Sequence, residues 1–305
     1  MTAAAPDIEV EIPVGGIDLA ATLRAAAILP RDPTVVLRPT AFARATITPD
    51  GPGTLSVTWQ AGTDAAGVTA WGPGAPWLIE RIGGLLGLED DPSGFSPAHE
   101  ILHDLARRNP GLRLTRTGTV WHDLVALVLQ QRIRFTDAAA QWRDLVDLMG
   151  DEAPGPLDLR LPPDPERVAS ASYHDFHRVG IERSRAETLI RSALELPRFE
   201  HAVDRPYADV EPRLTSIRGL GPWTRGGLAG VTWGDPDAVV LGDVGIPSMV
   251  SYTLAGEERA DDERMLELLE PHRPHRYRAL QLIFLAGSMA PRRGPRMAGH
   301  RIHDR

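Results

Sequence analysis

The chain has 305 residues and no cysteine. Disulfides, thiolate-bound zinc, iron–sulfur clusters and thiol nucleophiles are therefore excluded. It also has no lysine: all 33 basic residues are arginine. A lysine Schiff base, a pyridoxal lysine and a P-loop lysine are excluded with it. Asparagine occurs once, as Asn109, a usage that speaks of codon composition rather than function. Apolar runs such as Leu124–Leu129 fall far short of the ~18 residues that cross a bilayer. Met1–Pro6 lacks the basic start and apolar run of a secretory leader. The expectation is a soluble, cytoplasmic protein.

What is present suffices for a large core: 42% of residues are hydrophobic and 24% charged. The length fits two domains of roughly 150 residues each. Net charge is −8, which argues mildly against a nucleic-acid partner, but the charge is uneven. Residues 1–98 carry 11 acidic and 5 basic groups, and the rest carries 30 and 28. Overall charge does not fix local potential, so the second part can still present a basic face.

The reading divides the chain near residue 95. Residues 1–95 read as an α+β unit, an antiparallel sheet with two helices. Strands are expected at Ile8–Ile12, Val35–Leu37, Ala43–Thr48, Thr54–Trp59 and Gly67–Trp71, with a turn over Pro49–Gly53. Leu19–Leu29 and Trp77–Leu88 suit helices. Asp90–Gly94 reads as the linker. Residues 96–305 read as all-helical. Helices are expected at Pro97–Arg108, Val120–Gln131, Thr136–Met149, Arg183–Leu196, Val210–Ile217, Trp223–Trp233, Asp261–Leu269 and Tyr277–Met289. Arg292-Arg293-Gly-Pro-Arg296 suits a solvated tail.

One stretch carries most of the information: Leu214-Thr-Ser-Ile-Arg-Gly219-Leu-Gly221-Pro222-Trp223-Thr224. A helix ends at Gly219, and Pro222 opens the next one at the position where its missing N–H costs nothing. The glycines permit close backbone approach, and the new helix offers unpaired N–H groups, which together suit a phosphate. The pattern also suits a plain helix–helix turn. Further on comes Val239-Val-Leu-Gly-Asp243-Val-Gly-Ile, one carboxylate after an apolar approach, before a helix starting near Pro247. Asp243 equally suits an N-cap for that helix.

Hairpin and aspartate at this spacing resemble the helix-hairpin-helix superfamily of DNA glycosylases, and more closely the AlkA-type 3-methyladenine DNA glycosylase II. Asn109–Leu114, Val128–Gln131, Tyr277–Phe284 and an N-terminal sheet domain of this length extend the likeness over nearly the whole chain. The resemblance implies an AlkA-like N-terminal domain followed by a helix-hairpin-helix glycosylase domain. It implies a double-stranded DNA partner carrying alkylated bases. Asp243 would be the catalytic carboxylate; aspartate is ordinarily ionised at neutral pH, with a pKa near 3.9. It would stabilise an oxocarbenium-like transition state or orient the attacking water.

Trp223 stands where lyase members carry a nucleophilic lysine, so the resemblance implies a monofunctional hydrolase. Its aromatic face would attract a cationic methylated purine by about 0.5–2 kcal/mol, with Phe284 as a second wall. Both also suit plain core packing. Gly219, Gly221 and Thr224 would hold DNA, and Gln131 and Arg132 fall at the wedge that fills the gap left by the extruded nucleotide. No cofactor is required. The carbonyls of Thr215, Ile217 and Leu220 match those that hold Na+ or K+ in related hairpins. Departures from the family pattern are Gly227 and Val244 for tyrosines, Arg218 for proline, and no pocket aromatic near Thr22.

Two other readings compete. His99-Glu100-Ile-Leu-His103 matches the H-E-x-x-H zinc pattern of metalloproteases, with Asp123 as a third ligand. Its metzincin extension fails, because Ala106 and Asn109 occupy the required Gly and His positions. A non-catalytic, lesion-sensing DNA-binding module is the other. No membrane or protein partner is implied.

Overall fold

A computed structural model describes residues 5–60, 62 and 64–287. The basic run Arg292–Arg296 lies outside the described residues. Five strands form one antiparallel sheet: β1 (Ile8–Pro13), β2 (Val35–Arg38), β3 (Ala41–Thr48), β4 (Gly51–Trp59) and β5 (Ala65–Trp71), in the order β1-β5-β4-β3-β2. The hairpin joining β3 to β4 is tighter than the sequence suggests. Thr48 pairs with Gly51, so the turn is Pro49-Asp50 alone, and Gly51 takes the positive φ of 114° that such a turn favours in glycine.

Helices α1 (Leu19–Leu23), α2 (Ala75–Glu80) and α3 (Ile82–Leu85) accompany the sheet. Asp18 caps α1 by accepting from the Ala21 amide at 3.0 Å. That helix ends before Leu29, because the chain tightens into a 3-10 turn at Arg24–Ala26 and the Ala26 carbonyl takes the Arg44 guanidinium at 2.9 Å. The expected helix Trp77–Leu88 breaks at Arg81 into two short pieces, next to the weak helix formers Gly83 and Gly84.

The remaining helices are α4 (Glu100–Arg108), α5 (Val120–Gln130), α6 (Phe135–Met149), α7 (Pro165–Ser170), α8 (Tyr173–Arg178), α9 (Arg183–Glu195), α10 (Tyr207–Ser216), α11 (Pro222–Val231), α12 (Ile246–Ala255), α13 (Asp262–Leu269) and α14 (Arg276–Ala286). Residues 151–161 are not helical. Pro154, Pro156 and Pro162 forbid it, and the alternation Leu157, Leu159, Leu161 lays the segment over Ala43 and Ala45 of β3.

Helix α5 is the axis of the molecule: every residue from Val120 to Leu129 is buried. The largest cluster of buried side chains runs without a break from the sheet (Phe42, Leu55, Val57) through α5 to α9 and α10. A buried polar joint locks sheet to helix. The Arg44 guanidinium on β3 meets Asp123 of α5 at 2.6 Å and donates to Thr119 Oγ1 at 2.7 Å. The hydroxyls of Thr117 and Thr232 donate to the other Asp123 oxygen. Beside them His122 sits between Thr34 Oγ1 (3.0 Å) and Thr46 Oγ1 (3.2 Å), stacked on Trp142. Burial, reinforced by the Arg44 charge, holds this imidazole well below its usual pKa and hence neutral. No helix among the described residues is long and apolar enough to cross a membrane.

Candidate DNA-processing site

At its C-terminal end α5 runs out into Gln131, which is extended, and Arg132, which has φ +61°. A left-handed arginine is uncommon and marks a sharply turned loop. Two ties hold the loop. The buried Arg185 guanidinium of α9 donates to the Leu129 carbonyl at 2.8 Å, filling one of the acceptors left open at the helix end. The Gln131 amide donates to the Gly219 carbonyl at 3.0 Å and to Thr224 Oγ1 at 2.8 Å. Gln131 thus stitches the loop to the hairpin, while Arg132 is exposed.

The hairpin joins α10 to α11. Gly219 has φ +106°, and a Cβ there would collide with Thr188 Oγ1 and lie 2.8 Å from Thr188 Cγ2. Glycine at 219 is therefore demanded by the fold. Gly221 differs: its backbone is ordinary (φ −72°, ψ 177°) and a Cβ would meet nothing within 4 Å. It faces open space at the start of α11, whose first turn has no side-chain cap. Unpaired N–H groups therefore point outward beside a bare backbone, a geometry suited to an anionic oxygen. Thr224 is buried, and its hydroxyl oxygen accepts from Gln131.

Asp243 precedes α12. Its Oδ1 accepts from the Gly245 amide at 2.7 Å and the Ile246 amide at 2.8 Å. Its Oδ2 accepts from the Trp223 indole N–H at 2.8 Å. Asp243 is not the N-cap of α12, which is Gly245; its carboxylate is oriented by N–H donors on both oxygens. Gly242 ahead of it has φ +80°, and its amide donates to Asp262 Oδ2 at 2.8 Å. Asp262, at the start of α13, was not singled out by its sequence context; an acidic residue in a first helical turn reads only as dipole compensation.

These parts meet in one open cavity of about 820 Å³. Its lining includes Arg132, Ile133, Gly219, Gly221, Trp223, Asp243, Val244 and Asp262. Val244 is 94% exposed, an apolar side chain standing in water at the rim. Phe284 does not join them: α14 buries Leu280, Leu282 and Ile283, and Phe284 stands 40% exposed away from the cavity lining. Gly227 is accounted for by packing, since a Cβ there would press on Leu127 at 3.0 Å.

The zinc pattern is not assembled. His99 lies before α4, and its Nε2 is 2.7 Å from the Leu254 carbonyl. His103 is exposed, and Asp123 is consumed in the joint with Arg44. Among the described residues no group of three His, Cys, Asp or Glu side chains is placed to hold a metal. At the hairpin, the Ile217 carbonyl accepts from the Leu220 amide at 3.1 Å. The Leu220 carbonyl accepts from Arg225 Nη1 at 2.7 Å.

No protein-family model matches the chain. Two Bacillus subtilis proteins are similar in sequence. One is named "Putative DNA-3-methyladenine glycosylase YfjP", 22% identical over 57% of this chain and 61% of its own length. The other is named DNA-3-methyladenine glycosylase, 26% identical over 64% of this chain and 67% of its own. The chain therefore spans about three fifths to two thirds of these relatives. Among solved structures, a 3-methyladenine DNA glycosylase from Archaeoglobus fulgidus superposes with TM-score 0.73 at 18% identity, over 90% of this chain and 97% of that one. A Clostridium acetobutylicum 8-oxoguanine glycosylase/lyase, solved with double-stranded DNA containing cytosine opposite 8-oxoguanine, superposes with TM-score 0.66 at 11% identity, over 94% and 97%. The chain has the fold of these DNA glycosylases, and its sequence relatives carry 3-methyladenine glycosylase names.

Proposed function

We propose that this protein is a monofunctional DNA glycosylase of the AlkA type. It acts in base excision repair and hydrolyses the N-glycosidic bond of alkylated purines of the 3-methyladenine and 7-methylguanine class. One observation carries the reading: a carboxylate fixed by N–H donors and an indole share an open cavity with a bare, uncapped helix start and an exposed arginine on a left-handed turn.

Each part has a task. Gly221 and the first turn of α11 receive a backbone phosphate. Arg132 enters the stack where the target nucleotide leaves; extrusion costs a few kcal/mol, least for a damaged base. Trp223 offers a wall that favours a cationic methylated purine, while its N–H holds Asp243 in place. An alkylated purine bears a positive charge, so it departs with the bonding electron pair and becomes neutral without strong acid assistance. Positive charge then develops at C1′, and the Asp243 carboxylate stabilises it. Water adds its oxygen to C1′ and gives up a proton, leaving an abasic sugar. With no lysine in the chain, an imine route through lysine is closed.

The test is base release from duplex DNA containing 3-methyladenine or 7-methylguanine, parent against Asp243→Asn. The amide is isosteric but uncharged, so release is expected to fall by about 10²–10³ while duplex affinity holds. Equal release would remove Asp243 from the mechanism. Duplex binding with no release by the parent would mark a lesion-sensing protein instead.

A further inference from the structure

We propose that Arg225 is the resident cation of the hairpin, and that the protein's grip on DNA does not depend on a bound Na+ or K+. The proposal rests on the DNA-binding reading above. A monovalent ion at this turn would need the backbone carbonyls of Thr215, Ile217 and Leu220, and the last two are already engaged. Leu220 gives its oxygen to Arg225 Nη1 at 2.7 Å, and Ile217 gives its oxygen to the Leu220 amide.

The guanidinium is well anchored. Its Nη1 reaches the Leu220 carbonyl five residues earlier, so the side chain folds back over the first turn of its own helix. The Tyr207 hydroxyl of α10 donates to the Arg225 carbonyl at 3.1 Å. Glu211, also on α10, lies 3.7 Å from Nε, and the arginine side chain is only 18% exposed. Both hairpin helices thus clamp one charged group against the turn. A metal ion on the same oxygen would sit against the guanidinium, whose like charge repels it even with Glu211 offsetting part of it.

The consequence separates ionic strength from ion identity. Affinity must fall as salt rises, because phosphate contacts release counterions, yet it must not depend on which monovalent cation supplies the salt. The probe is a fluorescein-labelled duplex carrying a tetrahydrofuran abasic analogue, which needs no catalysis. Anisotropy is read at one ionic strength in sodium, potassium, caesium and tetramethylammonium chlorides. The parent Kd is expected to stay within about twofold across the series, since all four screen alike. Arg225→Gln keeps a donor for the Leu220 carbonyl but loses the charge. It is expected to bind about tenfold more weakly in tetramethylammonium and to recover in sodium or potassium. Arg225→Lys keeps the charge and is expected to remain indifferent to the ion.

Parent affinity that tracks ion identity, or a Gln variant as indifferent as the parent, overturns the proposal. The parent series needs no variant to fold. If the parent binds no duplex in any salt, the DNA reading fails. Thallium(I) NMR titration of the free chain then decides the hairpin claim, where a saturable site would overturn it.

Discussion

Two aspartates in this molecule show what separates a carboxylate that holds a fold from one that serves a site. Asp123 is fully buried; one oxygen meets the Arg44 guanidinium and the other takes two threonine hydroxyls. Its charge is cancelled and no face is left open. Among the described residues Asp243 meets no cation: it accepts from N–H groups and lines an 820 Å³ cavity. The first is an ion pair closed on all sides; the second is an anion held in place with room in front of it. The contrast fails if both residues respond alike to substitution. Asp123→Ala leaves a buried guanidinium without its counter-charge, and the expected cost is about 3–5 kcal/mol in denaturant unfolding. Base release per folded molecule should stay within a few-fold. A loss of release with unchanged stability would place Asp123 in the chemistry and erase the distinction.

The hairpin glycines divide the same way, Gly219 to the fold and Gly221 to the open side. Gly219→Ala forces a left-handed alanine, at about 1–2 kcal/mol, and drives a methyl into Thr188, at about 1–3 kcal/mol more. The unfolding midpoint should fall accordingly. Trimming the obstacle in Gly219→Ala/Thr188→Ala should restore part of the steric cost and no more, because the Cβ of residue 188 stays 2.9 Å from the new methyl. No rescue by the second substitution would show that Thr188 is not what glycine accommodates.

What is legible in the sequence is what the chain writes at short range. Gly219, Trp223 and Asp243 lie within 25 residues, and Gly219-Leu-Gly221-Pro222 is written in consecutive positions. Five strands and most helices announce themselves by local period and by glycine and proline punctuation. The short helices α7 and α8 escaped because six residues, each burying one large apolar side chain, show no period. Their signals were the caps, Asp164-Pro165 and the Ser172–Asp175 box. Long-range pairings left no local trace: Arg44 with Asp123, Gly219 with Thr188, Gln131 with the hairpin, Asp262 with Gly242. Phe284 stands outside the cavity lining for the same reason, since its place depends on which face of α14 the core claims.

Acid should loosen the buried joint before it touches the open side. His122 is held neutral in the folded state, its pKa pushed down first by burial and then by Arg44. His272 and His275 are pushed down as well, chiefly by burial. Above the unfolded histidine pKa of about 6.5, neither state binds the proton and the full stability is present. Below it the unfolded chain takes up protons that the folded chain refuses. Stability then falls with pH by at most about 1.4 kcal/mol per unit for each such group, until the folded pKa is reached. Unfolding curves from pH 7.5 to 5.0 should show the decline beginning near 6.5, and His122→Gln should flatten it. A parent curve level to pH 5.0 would show that the imidazole accepts its proton in place.

Gly221→Ala is the mildest substitution and the sharpest test of the open side. The backbone at 221 lies where any residue is comfortable, and the new methyl would touch nothing. Removing chain freedom from the unfolded state makes the change neutral or stabilising, by about 0–1 kcal/mol. If that bare backbone exists for a phosphate, the methyl stands between the oxygen and the amides at the start of α11. Duplex affinity should then drop by about tenfold, or ~1.4 kcal/mol, in a protein at least as stable as the parent. A variant with unchanged stability and unchanged affinity would mean that Gly221 merely shapes the turn, and the phosphate would have to be gripped elsewhere along the cavity rim. A loss of both would return Gly221 to the company of Gly219, as a residue the fold itself demands.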